Sequence, residues 1–392
     1  MAYGLIVRNR HSLTSDGTTP TVSEIKQYGG WLELSRSALR HNLAGVKRLV
    51  GGAQLMAVVK ANAYGAGATG MARVLQDEGV TRFAVATVAE GAALREAGIA
   101  GDILCLTYFD HSDGIAIQRN DLTVTVFCEE SVSILNDIAQ QAGKRMRAWV
   151  KVDTGLGRLG VPVNEAATFI DGIAREPSLL VAGVFSTLCE NDAQDRRQLA
   201  RLLALREALP GSIDALWSLA SSQGILTPAD SCLDVVRPGV MLLGFPPSEP
   251  DRMDADRVSE ADPRSVVTWK TRIASVKVVA AGEQVGYGDQ PALAADMRVA
   301  SLMTGWADGY NGSPNAASCV LIDGERCPVI ALSANTTLVD VTAVTSANSG
   351  DEVILLGQQG DKEIGVEELA RAASGVYRML AGIPARVPRI WL

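Results

Sequence analysis

Between residues 31 and 245 short apolar blocks alternate with longer amphipathic stretches. The blocks "LMAVVK", "RFAVAT", "DILCLT", "LTVTVF", "RAWVKVD", "VAGVFST" and "DVVRPGVML" are dominated by Val, Leu, Ala and Phe, the pattern of strands buried on both faces. The segments between them, such as "SRSALRHNLAGVKRLV", "ATGMARVLQDEGV" and "VAEGAALREAGI", carry apolar residues at helical spacing and run into glycine. Alternation sustained this long predicts an α/β fold of the (β/α)8 TIM-barrel type. A doubly wound sheet is the alternative.

From about residue 264 the texture changes. "VVTWKTRIASVKVVAAGEQVGYG", "MRVASLMTGWADGY", "SCVLIDGERCPVIALS", "TTLVDVTAV" and "DEVILLGQQG" are strand-like runs broken by Gly, Asp and Asn. They predict a mostly β C-terminal domain, closed by one helix over "VEELARAASGVYRML" and a last strand over "RVPRIWL". The acidic, proline-bearing "PPSEPDRMDADRVSEADPR" reads as a linker. The organisation expected is a polar extension at 1–30, a barrel at 31–263 and a β domain at 264–392.

Composition narrows the function classes. The 392 residues carry 36 Lys and Arg against 44 Asp and Glu, a net charge of -8. That balance disfavours a nucleic-acid surface, which needs clustered cations. No apolar run approaches the roughly 18 to 20 residues of a membrane span. The first residues hold too short an apolar patch for a secretory signal, so a cytoplasmic protein is expected. None of the six cysteines forms a CxxC pair, and buried reduced thiols are expected. Only three histidines occur, none in a motif. A His-rich metal site or a Ser-His-Asp triad has little to work with, so no metal is expected.

Lys60 ends "MAVVK", and in a parallel barrel the reactive groups sit at the C-terminal ends of strands. An amine desolvated there loses basicity and becomes a nucleophile toward aldehydes. The small residues of "ANAYGAGA" leave room for a flat ring, and Tyr64 can reach back with its hydroxyl. The stretch can therefore be read as a Schiff-base lysine for pyridoxal phosphate, although on spacing alone a strand-terminal lysine is more often a solvated chain end.

The stretch "AVVKANAYGAG" resembles the cofactor-lysine motif of the alanine racemase family, fold-type III pyridoxal-phosphate enzymes. The resemblance runs from Trp31 to the end through "KVDTGLGRLG", "LASSQG", "VVRPGVMLLG", "GEQVGYG", "GWADGY", "VDV" and "ARVPRIW". It implies a barrel followed by a β domain that the first strand, near 31–35, joins. It also implies a head-to-tail homodimer with shared active sites and an amino-acid substrate. Lys60 would carry the cofactor and act as one base, and Tyr287 of the partner subunit would be the other. Tyr64, Ser222, the backbone at Gly239 and Val240, and Tyr377 would hold the phosphate, with Leu106 packing near the ring. Arg237 would face the pyridine nitrogen. It keeps its own proton, so the ring stays a weaker electron sink, which suits racemisation over transamination. Arg158 would lie near the cofactor phenolate and the substrate carboxylate, and Lys151 occupies a position carbamylated in some members.

Four positions depart from the family pattern. Thr187 stands behind the ring where histidine is usual. Trp306 replaces a tyrosine, Ser333-Ala334-Asn335 replaces Cys/Ser-Met-Asp, and Ala66 replaces a histidine. Together they imply a pocket for an amino acid other than, or broader than, alanine. Decarboxylation, aldol cleavage or β-substitution on the same fold, and a regulatory protein that only holds the cofactor, are the alternatives.

Overall fold

The computed structural model describes residues 29–227, 230–247, 252–313, 317–373 and 375–392. The expected extension at 1–30 falls outside them except for its last two positions. The chain forms two compact units, Arg36–Val266 and one uniting the stretch up to Ser35 with Val267–Leu392. The first strand, β1 (Gly30–Leu34), lies in the second unit.

In the first unit eight parallel strands close into a barrel. They are β2 (Gln54–Val58), β3 (Arg82–Val85), β4 (Asp102–Cys105), β5 (Thr123–Val126), β6 (Met146–Asp153), β8 (Leu179–Phe185), β9 (Leu216–Ser221) and β10 (Val235–Arg237). The two-residue β7 (Val161–Pro162) adds to β6 outside the ring. Neighbours run β5, β4, β3, β2, β10, β9, β8, β6, and β5 pairs with β6 to complete the circle. The doubly wound alternative is thereby excluded. The strands are short and most of their residues are buried; β5 is buried at all four positions. That explains the block pattern, because residues facing the barrel interior and residues facing the helices are both dry. Each large apolar side chain buried in this way contributes about 1.5–3 kcal/mol.

One of the eight barrel strands is not among the apolar blocks. β9 carries Ser218 in "LWSLAS", which breaks the run. Ser218 is nevertheless fully buried, with its hydroxyl donating to Val235 O at 2.6 Å. The acidic segment expected to be a linker also holds structure. Asp254 accepts from the N–H groups of Asp256 and Arg257 at 2.9 and 3.2 Å and starts a helix, Ala255–Ala261. Arg257 ties that helix to Ile225 O at 2.7 Å and Leu49 O at 3.2 Å.

The second unit is a nine-stranded sheet. Its further strands are β11 (Val267–Val279), β12 (Met297–Leu302), β13 (Cys319–Ile322), β14 (Glu325–Leu332), β15 (Thr337–Asp340), β16 (Glu352–Gln359), β17 (Lys362–Ile364) and β18 (Arg389–Trp391). Their order is β17, β16, β13, β14, β15, β12, β11, β1, β18. The β13–β14 hairpin turns on Asp323-Gly324 with φ of +53° and +75°, the left-handed pair that matches strand twist. The single C-terminal helix expected is two, Val366–Ala373 and Val376–Ala381, because Gly375 adopts φ +123° between them.

All six cysteines are free thiols. Cys105 and Cys327 are buried, but Cys128 is exposed where the chain enters the helix Glu129–Ala142, against the expectation of uniformly buried thiols. Among the described residues no helix is long and apolar enough to cross a membrane.

Candidate active site

Two residues beyond β2 stands Lys60, and after it the chain makes a left-handed turn. Ala61, Asn62, Ala63 and Tyr64 have φ of +51°, +54°, +52° and +53°. Each non-glycine residue in that region costs about 1–2 kcal/mol, so the surroundings must hold the turn. Asn62 Oδ1 accepts from Ala68 N at 2.9 Å, Ala63 N donates to Val59 O at 2.8 Å, and Ala61 N donates to Glu90 Oε1 at 2.7 Å. Ala63, Tyr64 and Ala66 are buried beneath it. Larger side chains at the alanines would not fit, which is the local reason for the small-residue run.

The turn aims Tyr64 back at the end of β10. A side chain at Gly239 would meet Tyr64 Oη at 2.3 Å, so only glycine lets the phenol lie there. Gly239 N donates to Ser222 Oγ at 2.9 Å, and Met241 N approaches the same oxygen at 3.4 Å. Two hydroxyls and the backbone at Gly239 and Val240 thus gather at one point of the rim. The helix that Ser222 begins has only five residues, Ser222–Leu226. What is offered to an anion is therefore hydroxyl and N–H groups rather than a long helix dipole.

Arg237 closes β10, the strand beside β2. Its guanidinium is buried and, among the described residues, hydrogen-bonds to neutral groups: Ser218 Oγ, Ser186 O at 2.6 Å and Leu219 O at 3.3 Å. Burial lowers it to about 10, so it stays charged at neutral pH. Lys151, in β6, is also buried; its amine donates to Thr187 Oγ1 and lies 4.5 Å from the Phe185 ring centre. Burial, then Arg237 and Arg158, holds that amine well below its ordinary pKa. Lys60 is lowered as well, by burial first and then by Arg158 and Arg237, with Glu90 opposing.

Arg158 is exposed on the loop after β6. Asp153 shapes that loop, its Oδ1 accepting from Gly155, Leu156 and Gly157 N at 2.9, 3.0 and 3.1 Å. Burial alone would raise the Asp153 carboxyl, but these N–H groups outweigh it and hold it below the usual range. Leu106 follows β4 and is half-buried, and Thr187 follows β8. Lys60, Tyr64, Leu106, Arg158, Thr187, Ser222, Arg237, Gly239 and Val240 therefore all follow or end barrel strands at their C-terminal side, with Lys151 inside β6.

The remaining candidates lie in the second unit. Tyr287 is 81% exposed beside a cleft of about 310 Å3 lined by Ala331, Leu332, Ser333, Thr336 and Leu338. Trp306 is exposed, with its N–H donating to Ser333 O at 3.0 Å, and Ala307 N donates to Ala334 O at 2.9 Å. The loops bearing Trp306 and Ser333-Ala334 are thus knitted together. Ala334 and Asn335 do not line the Tyr287 cleft; Asn335 lines a separate one with Thr304 and Arg386. Tyr377 is partly exposed in the helix Val376–Ala381.

Sequence reasoning did not single out Ser218, Asp153 or Glu90. Asp153 had a readable signal, an aspartate two residues ahead of Gly-x-Gly, where its carboxylate can accept the turn's N–H groups. Ser218 had none, since a serine in a strand declares neither its burial nor its partner.

Sequence models of the alanine racemase N-terminal and C-terminal domains match residues 34–247 and 266–391. An alanine racemase of Symbiobacterium thermophilum is 35% identical over 384 residues, 96% of this chain and 98% of that protein. One from Syntrophobacter fumaroxidans is 35% identical over 348 residues, 87% of this chain and 91% of that protein. Among solved structures, alanine racemase of Clostridium difficile superposes with a TM-score of 0.86 at 28% identity, covering 93% of this chain and 96% of its own. The enzyme of the D-cycloserine producer Streptomyces lavendulae gives 0.84 at 28%, covering 96% and 98%.

Proposed function

The chain belongs to the alanine racemase family and is a pyridoxal-phosphate-dependent racemase, and from that premise we propose that Lys60 and the partner subunit's Tyr287 are its two bases. The observation that carries this reading is a depressed amine, Lys60, at one strand end with a buried guanidinium, Arg237, closing the next strand. The residues fit the cofactor. Gly239 is kept bare under Tyr64, and a charged arginine is buried with no carboxylate partner among the described residues. When bound, pyridoxal phosphate supplies a carbonyl that amines join and a ring that draws electrons from the substrate Cα.

Lys60 would hold the cofactor covalently, and Tyr64, Ser222, Gly239, Val240 and Tyr377 its phosphate. Leu106 would pack beside its ring, and Arg237, which keeps its own proton, would face the ring nitrogen. Arg158 orients the substrate carboxylate. Lys60 Nζ removes or returns the Cα proton on one face, and Tyr287 Oη does so on the other. Removal on one face and return on the opposite face inverts the centre with no net change in atoms. Tyr287 is exposed in the single chain, which supports a head-to-tail homodimer in which it serves its neighbour.

The substrate we propose is broader than, or different from, alanine, which makes this a divergent member. Thr187, Trp306, Ala334 and Asn335 depart from the family's usual residues. Alanine in place of methionine opens several methylenes of space and asparagine removes a negative charge, so a larger side chain is accommodated.

Two experiments test this. A panel of L-amino acids in D2O, followed by chiral chromatography, is expected to give Cα-deuterated D-product from residues larger than alanine. Turnover of alanine alone refutes the substrate proposal, and release of an amine or aldehyde refutes racemisation as the main reaction. Inactive Lys60→Ala and Tyr287→Phe proteins, mixed and reannealed, are expected to regain activity, because a mixed dimer has one intact site. No recovery refutes sharing between subunits.

A further inference from the structure

Pairing between β2 and β3 ends with Val59 N donating to Ala84 O at 2.8 Å. Beyond that rung the two chains part, because the left-handed turn carries residues 61–64 away. The side chain of Glu90, in the helix Val88–Glu96, spans the gap. Its Oε1 accepts from Ala61 N at 2.7 Å, and its Oε2 accepts from Ala86 N at 2.7 Å and Thr87 N at 3.3 Å. Ala61 is joined to Lys60 by a peptide bond, and Ala86 directly follows β3. One carboxylate thus substitutes for the missing rungs at the point where the reactive lysine leaves the barrel.

We infer that Glu90 is a positioning residue for Lys60, fixing the aim of its amine by pinning the first residue of the left-handed turn to the end of β3. This inference rests on the reading of Lys60 as the cofactor lysine. Three features support it. The turn is costly and needs anchors, and among the hydrogen bonds described above Glu90 provides the one to Ala61 N. The contact is bidentate and charge-assisted, the strong form of such a bond. Glu90 is also set among the charges that reach Lys60: Arg158 and Arg237 favour the neutral amine and Glu90 the protonated one, while Lys151 lies close enough for Lys60 to lower it in turn. The capping bond from Glu90 N to Thr87 Oγ1, 3.2 Å, explains the start of the helix but not why the carboxylate reaches Ala61.

The test compares wild type, Glu90→Gln, Glu90→Asp and Thr87→Ala as holoenzymes. Gln keeps one acceptor oxygen, sets an NH2 against a backbone N–H and removes the charge. In Glu90→Gln the pH at which the absorbance of the Lys60-bound cofactor titrates is expected to fall. Its kcat is expected to drop about 10- to 100-fold with KM within about threefold. Thr87→Ala removes only the helix cap, so its melting temperature is expected to fall while titration and kcat stay at wild-type values. Wild-type titration and kcat in Glu90→Gln overturn the inference. If Glu90→Gln melts below the working temperature, Glu90→Asp decides. Asp keeps the charge but is one methylene too short to reach both N–H groups, and a wild-type kcat there overturns the inference. Amide hydrogen exchange over residues 61–64 on the cofactor-free proteins reads the anchor directly, and equal protection in Glu90→Gln and Thr87→Ala is a second refuting result. Borohydride trapping and peptide mapping of the wild type check the premise separately: no adduct at Lys60 refutes the cofactor-lysine reading, while the exchange data still judge Glu90.

Discussion

The amine of Lys151 donates to the hydroxyl of Thr187 inside the barrel wall, and among the described residues no carboxylate forms an ion pair with it, though Asp153 opposes its loss of charge. Burial, Arg237 and Arg158 all favour its neutral form. A neutral amine attacks carbon dioxide, giving a carbamate and a released proton, and the new negative charge is welcome beside two guanidinium groups. Lys151 is therefore expected to be carbamylated. Solution 13C NMR with labelled bicarbonate is expected to show a carbamate carbon that disappears in Lys151→Met and is lost on acidification, when the amine reprotonates. A wild-type spectrum without that signal refutes the expectation.

Lys60 and Lys151 together make stability depend on pH. Both amines have folded-state pKa values below the usual 10.5. Between those lowered values and 10.5 the unfolded chain holds protons that the folded chain has released, so stability rises with pH across that window. Below the lowered values the penalty is fully present. The cofactor-free protein in carbon-dioxide-free buffer is expected to melt higher as pH climbs through that window toward 10.5. Lys60→Met is expected to raise the melting temperature at pH 7 and flatten the profile. Superimposable profiles for wild type and variant would contradict the assignment of a desolvation penalty to this amine.

Gly239→Ala tests the phosphate end of the site. The added methyl lies 2.3 Å from Tyr64 Oη and 2.8 Å from two ring carbons, a clash that the buried phenol must relieve by moving. Overpacking of this kind costs about 1–3 kcal/mol. Thermal melts are expected to show that loss, and fluorescence titration a cofactor affinity weakened by about tenfold or more, the equivalent of about 1.4 kcal/mol. Unchanged affinity would place the phosphate elsewhere.

Ala61→Gly tests the strain in the turn. Relief of a left-handed alanine is worth about 1–2 kcal/mol, and the extra freedom of glycine in the unfolded chain costs about 0.4–1 kcal/mol. The first exceeds the second, so a gain of about 0.5–1 kcal/mol is expected in urea unfolding. Because Ala61 is exposed and its N–H is retained, packing does not interfere. Destabilisation by 1 kcal/mol or more would show that the turn is unstrained.

Local pattern carried much of the fold. Doubly buried strands such as β5 leave an unbroken apolar block, and the β13–β14 hairpin is written in Asp323-Gly324. β9 escaped because Ser218 lies inside it, and burial of a polar residue depends on a partner, Val235, that sequence proximity does not reveal. The break at Gly375 was similarly hidden, since glycine within a helical pattern does not declare its φ. At the candidate site, Lys60 was legible at a strand end and Tyr64 in the small-residue run behind it, Arg237 only through the family resemblance, and Glu90 not at all. Its carboxylate meets a backbone N–H 29 residues away in the chain.

What the amino-acid order determined by itself is the alternation that makes a barrel, the break in texture that makes a second unit, and the presence of an amine where a parallel strand ends. These follow from hydrophobic periodicity and turn chemistry, which act over a few residues. What only the tertiary structure decided is the state of those groups: which amines are stripped of water, which cation lies against which, and which carboxylate holds the lysine's turn. Desolvation and Coulomb interaction depend on distance in space, and folding alone sets those distances.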